Sequence, residues 1–546
     1  MDLDKYDNIN HPAFSHWASE KEIKESLLEI NDFDNNTSGG IPLFYQNNSV
    51  FTDPADTHSL VISSTGSKKT RLVAMPAIRL FASAGESFVA TDPKAELYEK
   101  SFNVLKNNNY NIFVLNLRDT HKSNRWNPLS IPRKLYKSGQ KDKAMESLLD
   151  FVDNIVANES SRNEPFWENS SKDLFTGLLL VLLECAKKNE VNFKSLMALR
   201  NTAFNNTSFD DLFINQRFLN YIDNSCFIHS LLNGTAKTAD VTRDGILSTF
   251  DQFLRPFFSQ NNLMDTLSGN DIDLASIGKS KTAVFIIVPD ENSVYNKIVT
   301  AFIKQCYSSL ISEAQNEPSK KLPLRVNFLL DEFSSLPPIP DFPNMLTAAR
   351  SRNIRFHLIM QSENQLRKWY GVQTETIKAN CENWIFLHSR ELNFLKELVE
   401  LTGFKDIQEP LSSVSTFQTL NKDKGEALVL NKRKYPYITR LADIDGFPPY
   451  STDAGIVPYP VKKNKILKVF DFDFFCKNNI IRSLFGQKIP ANLKPFEDSL
   501  LPEIPVDSPE EHIAELEIKI KDLQNKIKEE NLEKIAAFLG SNHYYG

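Results

Sequence analysis

The sequence predicts an α/β fold built on a mainly parallel sheet, with an all-α block set between two of its strands. Three observations predict it. Short apolar, β-branched runs bounded by turns or helices recur at 59–63, 88–91, 112–117, 283–289, 326–331, 356–360 and 384–388. Helical patterns such as 71–84 and 94–107 separate several of them, and strands alternating with helices pair in parallel with the helices on the sheet faces. Between about 131 and 258 helical periodicity dominates and strands are scarce, which reads as an inserted all-α domain.

At 546 residues the chain is too long for one compact domain. In order, the expected units are an acidic leader at 1–40, a first part of the sheet domain at 41–130, the all-α insertion at 131–258, a second part at 259–490, and a linker with a C-terminal helix at 491–546. The leader holds a short helix around 20–30 and a polar stretch at 35–40 that reads as a linker. In the tail, Ile513, Leu516, Ile520, Leu523 and Ile527 follow a heptad rhythm with Glu and Lys between them. An amphipathic helix docked on the body and a coiled coil both fit that pattern.

Apolar residues make up 41% of the chain, enough for a large core, which excludes a disordered tail. The net charge of −6 is localised: residues 1–60 carry 3 basic and 11 acidic side chains, and the rest carry 60 and 58. A near-neutral body does not announce nucleic-acid binding by bulk charge and leaves room for a local basic channel. The Lys-rich segment 134–143 reads as a solvated face, and the Phe-rich segment 469–485 as core. The five cysteines are dispersed with no C-x-x-C, which argues against zinc and for a reducing compartment. The longest apolar run, 174–186, is 13 residues, short of the roughly 20 that span a bilayer. A buried helix is expected there, and no membrane anchor.

The chemistry begins where the strand at 59–63 runs into Ser64, Thr65, Gly66, Ser67, Lys68, Lys69 and Thr70 and then a helix. Strand, loop and helix in this order form a phosphate-binding loop, in which backbone N–H groups at a helix start wrap a phosphate. Lys69 fits the cation that reaches the β/γ oxygens, and Thr70 the hydroxyl that ligates Mg²⁺. Against G-x-x-x-x-G-K-[ST], Ser63 stands at the first glycine and Lys68 at the second. The Lys68 side chain either crowds the loop or adds a second cation. The apolar strand at 326–331 ends in Asp331 and Glu332, the first suited to hold Mg²⁺ through water and the second to polarise an attacking water.

These residues belong to a longer set. T-G-S-x-K-T at 65–70, T-D-P-K-A-E-L-Y at 91–98 and R-W-N-P-L at 125–129 are followed by F-W-E-N-S-S-K-D-L-F-T-G at 166–177. Then come L-L-D-E-F-S-S-L-P-P-I-P-D-F at 329–342, A-A-R-S-R-N-I at 348–354, Q-S at 361–362 and T-I-K-A-N-C at 376–381. In content, order and spacing the chain resembles the TraG/VirD group of type IV secretion coupling proteins, over about 58–390.

The resemblance implies a RecA-like P-loop domain and a hexameric motor ATPase that uses ATP and Mg²⁺ to pass DNA, as a relaxase–DNA complex, into a conjugation channel. Its partners would be DNA contacted without sequence preference in a pore, the relaxase, and the channel and ATPase components of the secretion system. By position, Lys69 contacts the phosphates, Thr70 and Asp331 serve the metal, and Glu332 is the general base. Arg350 becomes an arginine finger acting on a neighbouring subunit, and Gln361 a γ-phosphate sensor. Asp92 and Lys94 either line the site or form a structural ion pair. Typical members begin with transmembrane helices; this chain is expected to lie in the cytoplasm, at the membrane's inner face, and to reach it through a partner. The alternative reading is a recruitment adaptor of the same apparatus whose altered loop hydrolyses ATP weakly or not at all.

Overall fold

Alternation inside each β-branched run decides how the sheet is buried. In the computed structural model the described residues are 14–64, 66–156, 165–204, 225–236, 238–258, 260–289, 295–447, 457–461, 467–472 and 474–475. Fourteen strands occur among them. The first three are β1 (Leu28–Ile30), β2 (Phe44–Gln46) and β3 (Ser49–Thr52). β4 (His58–Ser63), β5 (Ser87–Thr91), β6 (Asn111–Asn116), β7 (Thr282–Ile287), β8 (Val326–Leu330), β9 (Ile354–Met360) and β10 (Cys381–His388) match the seven expected runs. β11 (Phe404–Asp406) and β12 (Glu409–Pro410) form a hairpin, and β13 (Glu426–Asn431) and β14 (Tyr437–Arg440) complete the set.

Nine strands make one sheet in the order β14-β13-β10-β4-β9-β8-β5-β7-β6. β10 through β6 are parallel; β13 and β14 add an antiparallel edge. Leu60, Ile62, Phe328, Leu330, Phe356 and Leu358 point into one core, and Val61, Leu329, Ile359 and Ile385 into the other. Each fully buried side chain of this kind contributes roughly 1.5–3 kcal/mol, so the alternating register is strongly specified.

The first core is shared with the helical block. Helices Ser130–Lys137, Lys141–Val156, Pro165–Cys185, Phe193–Phe204, Ser225–Ala236, Asp240–Phe258 and Asn261–Thr266 lie between β6 and β7. Helix Asn296–Asn316 packs against Lys141–Val156, and its Phe302 meets Trp126 edge to face at 5.1 Å. Gly177 lets two helices approach: a Cβ there would lie 2.7 Å from Leu232 Cδ2. The buried run 174–183 is the expected core helix. Phe470 and Phe472 are buried in the same core.

Two local readings change. The leader helix stops at Ser26 rather than 30, because Leu28–Ile30 pairs antiparallel with β3. Residues 38–40 are buried rather than a free linker, and Gly39 N–H donates to Glu86 Oε1 at 3.0 Å. Cys306 and Cys381 are buried and carry no disulfide. No helix among the described residues is long and apolar enough to cross a membrane. The expected C-terminal helix, residues 476–485 of the Phe-rich segment, and the second structural unit, Ile480–Gly546, lie outside the described residues.

Candidate active site

Five neighbouring strands, β4, β9, β8, β5 and β7, end on the same side of the sheet, and their C-terminal ends deliver the site. β4 leads into the phosphate loop. Gly66 has φ +77° with open space where a Cβ would stand. Lys68 also takes a left-handed backbone, φ +59°, the conformation for which glycine is the usual choice. The substitution therefore keeps the turn. Lys68 Nζ points toward Asp423, 3.9 Å away, on the short turn Lys422–Lys424, and does not line the cleft. Ser64 is held from β10: its N–H donates to His388 O at 2.8 Å, and its Oγ lies 2.8 Å from His388 Nδ1. Thr65 lies outside the described residues.

A π-helical turn, Thr70–Ala74, opens the following helix, with Met75 N–H reaching Thr70 O. Pro76 has no N–H to give, and one wide turn ahead of it removes the clash a regular helix would meet. Such a turn fixes Thr70 at the cleft.

At the end of β8, Asp331 Oδ1 lies 3.2 Å from Lys69 Nζ, and Glu332 Oε1 takes a closer contact from the same ammonium. Gln361, one residue past β9, donates from Nε2 to Glu332 Oε1 at 2.7 Å. Glu332 stands at φ +57°, a left-handed backbone that is strained for a non-glycine residue. Its second oxygen, Oε2, is buried without a hydrogen-bond partner among the described residues. A buried acceptor left open at a cleft wall is a place for a water or a ligand proton.

β5 adds Thr91, whose Oγ1 donates to Asp331 O at 2.8 Å, and Asp92, 2% exposed, whose Oδ2 accepts from Tyr98 N–H at 2.8 Å. Burial, aided by the charge of Asp331, pushes Asp92 up to about 7. Burial likewise raises Asp331, against the pull of Lys69. Asp92 and Lys94 form no ion pair with each other; both line the cleft, a cavity of about 230 Å³ that also touches Lys69, Thr70, Glu332 and Gln361. Asn296, Ser335 and Leu336 line it too. Ser335 and Leu336 fall within the 329–342 motif without having been singled out there, and Asn296 lies in a segment that gave no signal.

The raised Asp92 has a consequence for stability. The fold binds this proton more tightly than the unfolded chain, whose carboxyl titrates near the ordinary 3.8. Stability from this group is therefore full below that value and declines as pH rises through about 7. Chemical unfolding at pH 5 and pH 8 should show a smaller difference in Asp92→Asn than in the native chain.

Arg350 is elsewhere. It opens the 3₁₀ turn Arg350–Arg352 just before β9, at the N-terminal ends of the strands, across the sheet from this chain's own Lys69. The residues present fit a nucleotide with Mg²⁺: a loop with two left-handed positions, a cation between two carboxylates, and an open buried acceptor. No cluster of three His, Cys, Asp or Glu side chains that could hold a metal ion occurs among the described residues.

A sequence model described as type IV secretory system conjugative DNA transfer matches residues 8–433. The chain belongs to this family. Among solved structures, the plasmid coupling protein TrwB in complex with the non-hydrolysable ATP analogue ADPNP is similar with a TM-score of 0.57 and 14% identity, covering 79% of this chain and 93% of that one. TrwB in complex with ADP and Mg²⁺ gives 0.57 and 14%, over 82% and 96%. At that identity the likeness concerns the fold, and this family member has the RecA-like P-loop architecture. An uncharacterized protein of Bacillus anthracis is 33% identical over 67 residues, 12% of this chain and 25% of that protein. The chain thus spans about a quarter of the length of this curated relative.

Within the conjugative DNA transfer family frame, Lys68 gives a clear expectation. Lys68→Gly relieves a left-handed non-glycine residue, worth about 1 kcal/mol, and removes no contact to the cleft. Its ATP turnover should stay within about twofold of the native chain in a phosphate-release assay.

Proposed function

We propose that this protein is a coupling-protein motor: it hydrolyses ATP at the cleft and drives DNA, as a relaxase–DNA complex, into a type IV secretion channel. The observation that carries the reading is the convergence of Lys69, Asp331, Glu332 and Gln361 within one cleft at a phosphate loop whose backbone turn survives Lys68. Lys69 would bind the β/γ-phosphate oxygens and release the two carboxylates it now holds. Thr70 and, through water, Asp331 would hold Mg²⁺, which when bound neutralises phosphate charge. Glu332 Oε2 would accept the proton of the attacking water while Gln361 fixes the carboxylate through Oε1. Arg350 would serve a neighbouring copy, since it lies too far from its own cleft. That role supports a homo-oligomer, a hexameric ring in this reading.

DNA-stimulated ATP hydrolysis by the purified full chain tests the motor directly. Turnover that rises with single- or double-stranded DNA and is lost in Glu332→Gln, with ATP still bound, is expected. ATP binding without turnover in the native chain would replace the motor by the adaptor. DNA contacts should be phosphate-directed, so stimulation should fall steeply with salt.

The proposed location is the cytoplasmic face of the membrane, reached through channel components. Cell fractionation should find the protein with membranes only when the rest of the transfer apparatus is present. Association that persists without it and resists carbonate would contradict this.

A further inference from the structure

Resting on the reading of Arg350 as a residue that acts on a neighbouring copy, we infer that Glu382 is its positioning residue, and that a β-bulge places Glu382 for the purpose. Three neighbouring strands begin at this end of the sheet, and each supplies one part. Arg350 precedes β9, Asp56 precedes β4, and Glu382 is the second residue of β10. Between β10 and β4, Cys381 pairs with His58 and Asn383 with Ser59, so Glu382 is the extra residue of a bulge. Bulges re-aim the side chain they carry. This one brings Glu382 Oε1 to 2.6 Å from Arg350 Nη1. The Glu382 backbone is fixed in turn, its carbonyl accepting from Lys432 N–H at 2.7 Å.

The guanidinium is planar, and holding two of its nitrogens fixes the direction of the third. Nε donates to the Asp56 carbonyl at 3.1 Å and Nη1 is on Glu382, while Nη2 has no partner among the described residues. The Asp56 carboxylate does not compete with Glu382, because Arg325 and Lys321 hold it at 2.6 and 3.7 Å. Arg350 is 40% exposed on its side chain and Glu382 30%, so the pair faces outward and the free edge of the fork is presented at the surface. A long arginine side chain left to itself samples many rotamers. One held on a carboxylate and a carbonyl meets a partner's phosphate already aligned, and misplacement of such a group by about 1 Å costs about 10²-fold in rate.

The test uses the full chain in DNA-stimulated ATP turnover. Glu382→Ala should lower kcat about 10- to 10²-fold with KM for ATP within about twofold, because the contacts to ATP made by its own cleft are intact. Glu382→Asp should recover part of the loss. Mixing Glu382→Ala subunits with Glu332→Gln subunits should restore turnover above the sum of the two, since a Glu382→Ala cleft served by the other variant's Arg350 is complete. A loss that mixing does not restore would assign Glu382 a structural role in its own subunit and overturn the inference. So would native turnover in Glu382→Ala alongside a defective Arg350→Ala. Native turnover in Arg350→Ala would instead overturn the reading beneath it. Should Glu382→Ala fail to assemble by light scattering, Glu382→Gln, which keeps size and one hydrogen bond, carries the same comparison: it should lose turnover with unchanged KM and regain it on mixing.

Discussion

In the proposed motor, Lys69→Ala should lower DNA-stimulated ATP turnover by about 10²–10³-fold, the usual consequence of removing a cation or donor aimed at developing charge. Here the effect has two sources. The phosphates lose their side-chain cation, and Asp331 and Glu332, which flank Lys69 Nζ, are left facing the nucleotide without it. With Asp331 and Asp92 both buried on the same cleft, the added negative field also weakens binding. ATP affinity by calorimetry should therefore fall together with turnover. Lys69→Arg should not rescue, because a planar fork does not fit a loop shaped round a compact ammonium. A Lys69→Ala protein within about tenfold of native turnover would show that this cleft is not where hydrolysis occurs.

Arg355→Ala destabilises the chain by about 3–5 kcal/mol, the range for breaking a buried ion pair. Arg355 is 1% exposed, with Nη2 at 2.5 Å from Glu86 Oε2 and Nε donating to Asn327 Oδ1 at 2.9 Å. Glu86 also accepts from Gly39 N–H and Asn327 Nδ2 and pairs with Arg325. Burial works against its charge, yet the Arg355 and Arg325 guanidiniums hold it below the usual carboxylate range. The stabilisation is present above the ordinary carboxylate pKa and is lost as pH falls through the depressed value. The urea midpoint at neutral pH should drop sharply in Arg355→Ala, and the drop should shrink in acid. A midpoint unchanged at neutral pH would mean that the pair contributes nothing net.

Seven of the nine central-sheet strands were legible because runs such as V-N-F-L-L at 326–330 are short, mostly apolar and bounded by turns or helices, as expected of strands buried on both faces. β13 was missed although E-A-L-V-L-N contains a four-residue apolar run, because charged and polar residues flank it on both sides. β1 was read as the end of a helix, since Leu27, Leu28 and Ile30 satisfy either period over so few residues. Strand order was not legible at all: β4 and β5 are consecutive among the central strands, yet β9 and β8 lie between them, and those arrive more than two hundred residues later. Of the site, the identity of Lys69, Asp331, Glu332 and Gln361 was visible through their motifs. The fate of Lys68 was not, because a sequence names the side chain and not its φ. Glu382 gave no signal, since its position depends on a pairing register between distant strands.

The two ends of β9 set a rule of stoichiometry. Gln361 follows one end and Arg350 precedes the other, so in the proposed reading the donor and acceptor halves of a site shared between copies are separated by about 20 Å of strand. A twofold pair would complete two sites reciprocally, whereas each head-to-tail contact joins one copy's Arg350 to the next copy's cleft and completes one. In the head-to-tail arrangement of the proposed reading, an open row leaves one cleft and one arginine unused, and closing it into a ring uses all of them. A subunit lacking both Arg350 and Glu332 silences two clefts, its own and one neighbour's, so activity in mixed rings declines faster than the fraction of altered subunits rises.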